Sequence, residues 1–485
     1  MRYPLTKTSK KNKETTKSLK MSSLTKLPLR ITSKSAVATL TEHIRIQKQV
    51  FERATTPTSK QSAQNQLIDL QQRHITAKTI LSTELLPILK NVALHSKEFQ
   101  KWGNSTISPK HLKIDSISGA MTNVIYKCEL LKDPSDTETI DIEADAILIR
   151  LYGDGTEAFF DRQEELTVFS SLANLKYGSH ALLCQFENGR CERFFTGSET
   201  LTIEELCNKD KWINGAMGRE VAIFHSLPVF ETTPSYNQVV HDFLDTVRHC
   251  YNGLVENSKS TWFDKNGVLL QTKKEESDLE TAETGQKIRS DEERIWLHNC
   301  IYNELPQQIE SIEKSLLNAS DKYNQNVVFG HNDLQPGNIL IANYKYNNKC
   351  ECIQTGKVTF IDFEYSRCVP RGYDIVNYWC EWAADYHGSK PHLMNYNKFP
   401  TEEQQKEFIV QYLNGLNDNN EGSNEQQVNE LIEEVLHFEQ LSHLWWGIWG
   451  LMQATQSSID FDYLGYGKCR LDKLKRGTRG REEEV

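Results

Sequence analysis

The sequence predicts an α+β chain in two parts, a small sheet with one packed helix followed by a larger and mostly helical region. Two observations carry this. Strand-like runs at 123–131 and 144–152 (ADAILIRLY) precede a helical pattern at 161–172, and short strand runs return at 181–186 and 193–195. From about Ile203 onward the apolar spacing changes to long helical patterns. The chain has 485 residues, 38% of them hydrophobic and 25% charged, enough for two or three lobes with sizeable cores and unlike a disordered or collagenous composition.

The first forty residues hold thirteen Ser/Thr and ten Lys/Arg against the single acid Glu14, and show almost no apolar periodicity. They read as a basic, Ser/Thr-rich and largely unordered extension reaching residue 75, open to phosphorylation; a mitochondrial targeting segment and a second start at Met21 are the alternatives. Order is expected to begin with a helix around Ser82–Gln100. The first lobe is then 76–200 and the second 201–475, with a tail at 476–485. Within the second lobe, residues 272–294 contain thirteen charged residues and only Leu279, Ala282 and Ile288 as apolar ones, so they are expected to form a solvated insertion. A shorter loop is expected at Asn414–Gln427.

Charge and cysteine usage exclude several classes. The net charge is −10, and the +9 of the first forty residues leaves −19 on the rest. An acidic body speaks against a nucleic-acid partner, which calls for a basic face, and suits a cationic substrate. Eleven scattered cysteines, an odd number without a secretory leader, fit reduced thiols in the cytoplasm. Cys350 and Cys352 have no second pair to complete a zinc site. The most apolar run, Leu441–Met452, is shorter than the roughly 20 residues of a membrane span and reads as a buried helix. The Walker phosphate-loop pattern is absent, and Gly153–Ala158 imitates a dinucleotide fingerprint without the returning strand it requires.

The chemistry lies in two strand-ended loops. In VVFGHNDLQPGNILI an apolar strand delivers His331-Asn332-Asp333, and Asn338 follows five residues after Asp333. In VTFIDFE a second strand ends at Asp362-Phe363-Glu364. One Asp to accept a hydroxyl proton, with an Asn and an Asp to hold Mg²⁺ on the phosphates of ATP, is what phosphoryl transfer needs. The spacing matches the kinase H-R-D-x-x-x-x-N and D-F-G pair, with Asn for Arg and Glu for Gly. Upstream, Ser118, Gly119, Thr122 and Asn123 occupy the place of a phosphate-covering hairpin loop. Arg150 at a strand end and Glu165 in the next helix stand where kinases place a cation–Glu pair. Downstream, Trp445, Trp446 and Trp449 cluster on one helix, with Tyr463 and Tyr466 after it, and Glu381, Trp382, Asp385 and Tyr386 follow the second loop. At least one indole must be core; the rest could form an aromatic box for an ammonium head group.

From Ile117 to Leu474 the chain resembles the choline/ethanolamine kinase family, through AMTNVIYKC, ILIRLYG, FGHNDLQPGNIL, FIDFEYSRCVPRGYDIVNYWCEW and HLWWGIWGLMQATQSSIDFDYLGY. The resemblance implies a bilobal protein-kinase-like fold with an antiparallel-sheet N-lobe and a larger helical C-lobe. It implies phosphorylation of choline and/or ethanolamine by Mg-ATP, the first step of phospholipid head-group synthesis. It makes Asp333 the catalytic base and Asn338 with Asp362 the Mg²⁺ ligands, with Gln335 and Glu364 as flanking polar positions. Arg150 and the 118–123 loop would contact ATP phosphates, and Glu192–Phe195 would form the hinge near adenine. Glu381, Tyr386, Trp446, Trp449 and Tyr466, with Tyr365 beside them, would form the acceptor pocket. A homodimer fits the resemblance, and a weak contact of the basic N-terminus with anionic membrane is a further expectation. Two departures stand out: Gly119-Ala120 replaces the usual Gly-Gly, and Arg193 stands where many choline kinases carry Gln. LYGDGTE, DRQEELTVF and IDFD look like ethanolamine kinases, whereas HNDLQPGN and RGYDIVNYWCEW look closer to choline kinases, so a dual enzyme is ranked first. The alternatives are another small-molecule kinase of the aminoglycoside-phosphotransferase kind, or a non-catalytic protein on the same scaffold.

Overall fold

The computed structural model describes residues 27–476, apart from 118–122, 132–145, 153–161, 264–285, 347–351, 417–422 and several stretches of one to four residues. Two helices open it: α1 (Ala36–Arg53) and α2 (Pro57–His95). Then come β1 (Leu112–Ile117), β2 (Asn123–Leu130), β3 (Ile147–Tyr152), α3 (Arg162–Asn174), β4 (Leu182–Phe186) and β5 (Gly189–Arg193). The strands form one antiparallel sheet in the order β1-β2-β3-β5-β4. This is the expected N-lobe, with β1 added ahead of the expected strands and β5 beginning four residues before the run at 193–195.

Period-two alternation gives the sheet two jobs. Ile147, Ile149 and Leu151 of β3 face one side, where Leu81, Leu85, Ile88, Leu89 and Val92 of α2 cover them in one core. Their alternates Leu148 and Arg150 face the opposite side and line the cleft between the lobes. The α2 spacing of 81, 85, 88, 89 and 92 is the apolar stripe of a helix lying on a sheet.

The extension expected to be unordered through residue 75 is corrected here. Residues 1–26 lie outside the described residues, but α1 and α2 pack as an antiparallel pair, with Val37 and Leu40 joining the α2 core. Thr56 caps α2 in a reciprocal arrangement with Ser59. The chain before α1 is tied to the sheet edge as well: the Leu27 amide donates to the Gln185 carbonyl at 3.0 Å, and Glu187 donates to Leu29 at 2.8 Å. A polar outer surface hid α1 and the first half of α2, because good helix formers on an exposed face leave little apolar signal; the second half of α2 is the helix expected from Ser82, ending at His95 instead of Gln100.

The C-lobe begins after β6 (Ser198–Thr200) with α4 (Ile203–Cys207), α5 (Trp212–His225) and α6 (Tyr236–Thr261), then α7 (Asp291–Asn299), α8 (Leu305–Asn318) and α9 (Ser320–Tyr323). Four short strand elements follow: β7 (Val327–Gly330), β8 (Ile339–Ala342), the ribbon of β9 (Lys345–Tyr346) with β10 (Cys352–Ile353), and β11 (Lys357–Phe360). After β12 (Arg367–Pro370) the chain is helical: α10 (Arg371–Glu381), α11 (Glu402–Leu416), α12 (Glu425–His437), α13 (Glu439–Gln456) and α14 (Tyr463–Arg476). Strand β7 pairs with β12, and β8 lies between β11 and β6, so both motif loops leave adjacent small sheets.

Most of the expected insertion 272–294 lies outside the described residues, but its end is structured. Ser290 caps α7, and Gln286 is docked by the Trp262 indole on its carbonyl at 2.8 Å and by the Leu464 amide on its side chain at 2.9 Å. The apolar run in α13 is buried all round in the C-lobe core, and no helix among the described residues is long and apolar enough to cross a membrane.

Candidate active site

The loop after β7 is held from below by one carboxylate. Asp374, fully buried in the first turn of α10, accepts from the His331 amide at 2.8 Å, the Asn332 amide at 2.6 Å and His225 Nε2 at 2.9 Å. Burial alone would raise its pKa; the bonds and charges from His225 and the loop hold the carboxyl below its usual range instead. Asn332 has φ 67°, in the left-handed region, and its side chain donates to the Tyr365 carbonyl at 2.9 Å while its carbonyl accepts from Asn377 at 3.0 Å. Asn tolerates that conformation, and these bonds fix it.

His331 joins the two motifs. Its Nε2 donates to the Ile361 carbonyl at 2.9 Å, which fixes the proton there and leaves Nδ1 to accept from the Asp333 amide at 3.3 Å. Burial lowers its pKa, so the ring is neutral. Asp362 follows Ile361 and also has φ 67°.

At the loop's tip Asn338 Nδ2 donates to the Asp333 carbonyl at 2.9 Å and to Asp333 Oδ2 at 2.8 Å. The five-residue spacing thus closes a ring that aims the Asp333 carboxylate and leaves Asn338 Oδ1 for another partner. Burial first, then the charges of Glu381, Asp362 and Glu364, raise the Asp333 pKa well above its usual value. Such a carboxylate is a better proton acceptor than a solvated one.

Across the cleft, Arg150 Nη1 donates to both oxygens of Asp362 at 3.0 Å and its Nε to Glu192 at 3.2 Å. The expected cation–Glu relation of Arg150 and Glu165 sits inside a larger cluster of charges. Register sets Arg150 opposite Arg190, Glu192 accepts from both, and Glu165 pairs with Arg190 at 2.6 Å. The result is a buried relay from Asp362 through Arg150, Glu192 and Arg190 to Glu165. Glu192 is therefore a partner of Arg150 and is not among the residues lining the cleft, unlike Phe195. Asn123 donates to Glu364 at 3.2 Å, tying β2 to the second motif, whereas Ser118, Gly119 and Thr122 lie outside the described residues. Glu165, Asp362 and Glu364 each offer an oxygen within 4.8 Å of one another. With Asn338, this all-oxygen set fits a hard cation such as Mg²⁺.

The aromatic residues meet at the other end of one cavity of about 380 Å³. Tyr365, Glu381, Tyr386, Trp446, Trp449 and Tyr466 line it together with Asp333, Gln335, Asn338, Asp362 and Glu364. Trp446 Nε1 donates to Asn377 at 2.7 Å and Trp449 Nε1 to the Tyr365 hydroxyl at 2.9 Å, so both rings are locked. Their centroids are 5.4 Å apart, and Tyr466 lies 6.0 Å from Trp449. That last contact needs helices α13 and α14 to touch: a Cβ on Gly450 would sit 2.9 Å from Gly467 Cα. Trp445 is the core indole, edge-on to Phe243 at 5.6 Å, and Trp382 is buried against Tyr378. Toward the sheet, Ile117, Ile125, Leu148, Phe194, Phe195, Leu340 and Ile361 form an apolar slot in the same cavity.

Sequence reasoning missed Asp374, His225, Asn377, Arg190 and Arg470. Asp374 and Asn377 fall inside RGYDIVNYW, where Asp374 stands in the first helical turn after Pro370 and Asn377 one turn on; the other three carry no local signal.

A model of the choline/ethanolamine kinase family matches residues 114–475. Probable choline kinase 2 of Arabidopsis thaliana is 30% identical over 367 residues, covering 76% of this chain and 86% of that protein. The human choline/ethanolamine kinase is 27% identical over 369 residues, covering 75% and 80%. Among solved structures, choline kinase from Cryptosporidium parvum Iowa II superposes with a TM-score of 0.57 at 22% identity, covering 81% of this chain and 94% of that one. The architecture is thus that of a protein-kinase-like bilobal fold.

Proposed function

Because the chain belongs to the choline/ethanolamine kinase family, we propose that it transfers the γ-phosphoryl group of Mg-ATP to the hydroxyl of choline or ethanolamine. The observation that carries this reading is the single cavity: a kinase base, an oxygen-donor set and an aromatic box face one another across it.

In this reading adenine occupies the apolar slot under the sheet and the phosphates point toward Arg150. Asn338 Oδ1 and Asp362, with Glu364 and Glu165 close by, would hold Mg²⁺, which supplies charge compensation on the phosphate oxygens. The chain's own part is positioning. The ammonium group enters among Trp446, Trp449, Tyr466 and Tyr386, where ring faces attract a cation. That seats the hydroxyl at Asp333, whose Oδ2 is steadied by Asn338. The hydroxyl oxygen forms a bond to Pγ as the Pγ–O bond to ADP breaks, and the proton passes to Asp333. Arg150, already desolvated at 4% exposure, offsets charge gathering on the transferred group. A cytoplasmic site of action is part of the proposal, supported by free thiols at the nine cysteines whose side chains are described.

The test is ADP release by purified protein with Mg-ATP and each amino alcohol in turn. Turnover with at least one is expected; none with either overturns the reading.

A further inference from the structure

Resting on that reading, we propose that Arg470 is a specificity-determining residue: by neutralising Glu381 behind the aromatic wall, it makes the acceptor site favour choline over ethanolamine. Arg470 does not line the cavity, whereas Glu381 does. Both are buried, with side chains 0% and 2% exposed, and Arg470 Nη2 donates to Glu381 Oε1 at 3.0 Å. The second oxygen, Oε2, accepts from the Tyr386 hydroxyl at 2.8 Å. The carboxylate bonded to Tyr386 of the box therefore carries a compensated charge and meets a donor on each oxygen.

The neighbouring carboxylates are engaged too. Asp333 Oδ2 holds Asn338, Asp362 holds Arg150, and Glu364 holds Asn123. A primary ammonium brings three N–H donors that need acceptors, and leaving them unmet in a buried site is costly. A trimethylammonium asks for none and gains from apolar and aromatic surface. The locked indoles present that surface, since their N–H groups are spent on Asn377 and Tyr365.

Arg470 is also poorly served for a structural residue. Its Nε and Nη1 are buried without a hydrogen-bond partner, and its guanidinium lies 5.6 Å from the Tyr466 ring. A buried cation hydrogen-bonded through one nitrogen is costly to keep, so stability alone is a weak account of the pair.

The experiment compares kcat/KM for choline and ethanolamine in the full chain and in Arg470→Lys, Arg470→Met and Tyr386→Phe. The wild type should favour choline by about tenfold or more. Arg470→Met should lower that ratio about five- to tenfold by leaving Glu381 Oε1 open to accept from a substrate N–H, and Arg470→Lys should restore most of it. Tyr386→Phe keeps the ring, removes the donor on Oε2 and should lower the ratio in the same direction even if Arg470→Met does not fold. An active wild type with a ratio at or below one overturns the inference and leaves the kinase reading intact. So does a ratio unchanged in Tyr386→Phe. No turnover with either alcohol overturns the kinase reading itself.

Discussion

Replacing Asp374 by Asn tests how the catalytic loop is held. The carboxylate accepts from two loop amides and from His225 at 2.6–2.9 Å, all buried. An amide of the same shape offers one acceptor oxygen and turns an NH₂ group toward at least one N–H donor. One charge-assisted bond lost is about 1.5–3 kcal/mol, and one buried donor orphaned is about 1–3 kcal/mol more. The expected destabilisation is therefore about 2.5–6 kcal/mol, measurable as a fall in the urea midpoint with unchanged slope. Asn332 would also lose the bond that steadies its left-handed backbone, and an ångström of drift at Asp333 is worth about 100-fold in rate. Steady-state kinetics at low temperature, where the variant stays folded, should show kcat falling with KM for the amino alcohol nearly constant, since Trp446, Trp449 and Tyr466 of the aromatic box sit on α13 and α14. The pH dependence has a defined sign. Asp374 is depressed in the folded chain from 3.8, so its contribution is full above that value and is lost as pH falls through the folded value. The variant's acid limb should be flatter there. A destabilisation under about 1 kcal/mol together with kcat within twofold of wild type would refute this role for Asp374.

Two further outcomes follow from the same geometry. Trp449→Ala removes a desolvated cation–π wall worth about 2 kcal/mol or more, so KM for choline should rise about 30-fold or more with kcat within a few-fold; an unchanged KM in steady-state assays would remove Trp449 from the acceptor pocket. His443 is fully buried and held down to about 4 from 6.5 by burial first. The unfolded chain therefore binds its proton across that window and the folded chain does not, so stability should fall by about 3 kcal/mol as pH drops from 6.5 to 4. Urea midpoints across that range should flatten in His443→Gln; parallel curves for the two proteins would contradict the assignment.

What was legible in the sequence was local. Asp333 and Asn338 stand five residues apart in one loop, so their ring of hydrogen bonds is written in the spacing. Asp362 was legible because an apolar strand ends in front of it. The acceptor pocket was legible through the spacing of Trp446 and Trp449 on one helix and through the family resemblance, and the cavity brings every one of its expected side chains together. Pairings set by register or packing were not legible. Arg150 finds Glu192 because β3 and β5 align as they do, which sends Glu165 to Arg190. His225 reaches Asp374 across 149 residues, and Arg470 reaches Glu381 across 89, with nothing nearby to announce either. Helix α1 and the first half of α2 escaped because their polar faces dilute a narrow apolar stripe, whereas the half of α2 from Ser82 was legible; β1 escaped because LKIDSI buries only two of its six residues.

The most direct measurement compares kcat of Asp333→Asn with wild type, using whichever amino alcohol the wild type turns over at saturating Mg-ATP, with urea unfolding of both proteins alongside. A loss of about 10²–10⁴-fold with stability preserved is the predicted result. A folded variant turning over within tenfold of wild type would contradict the account.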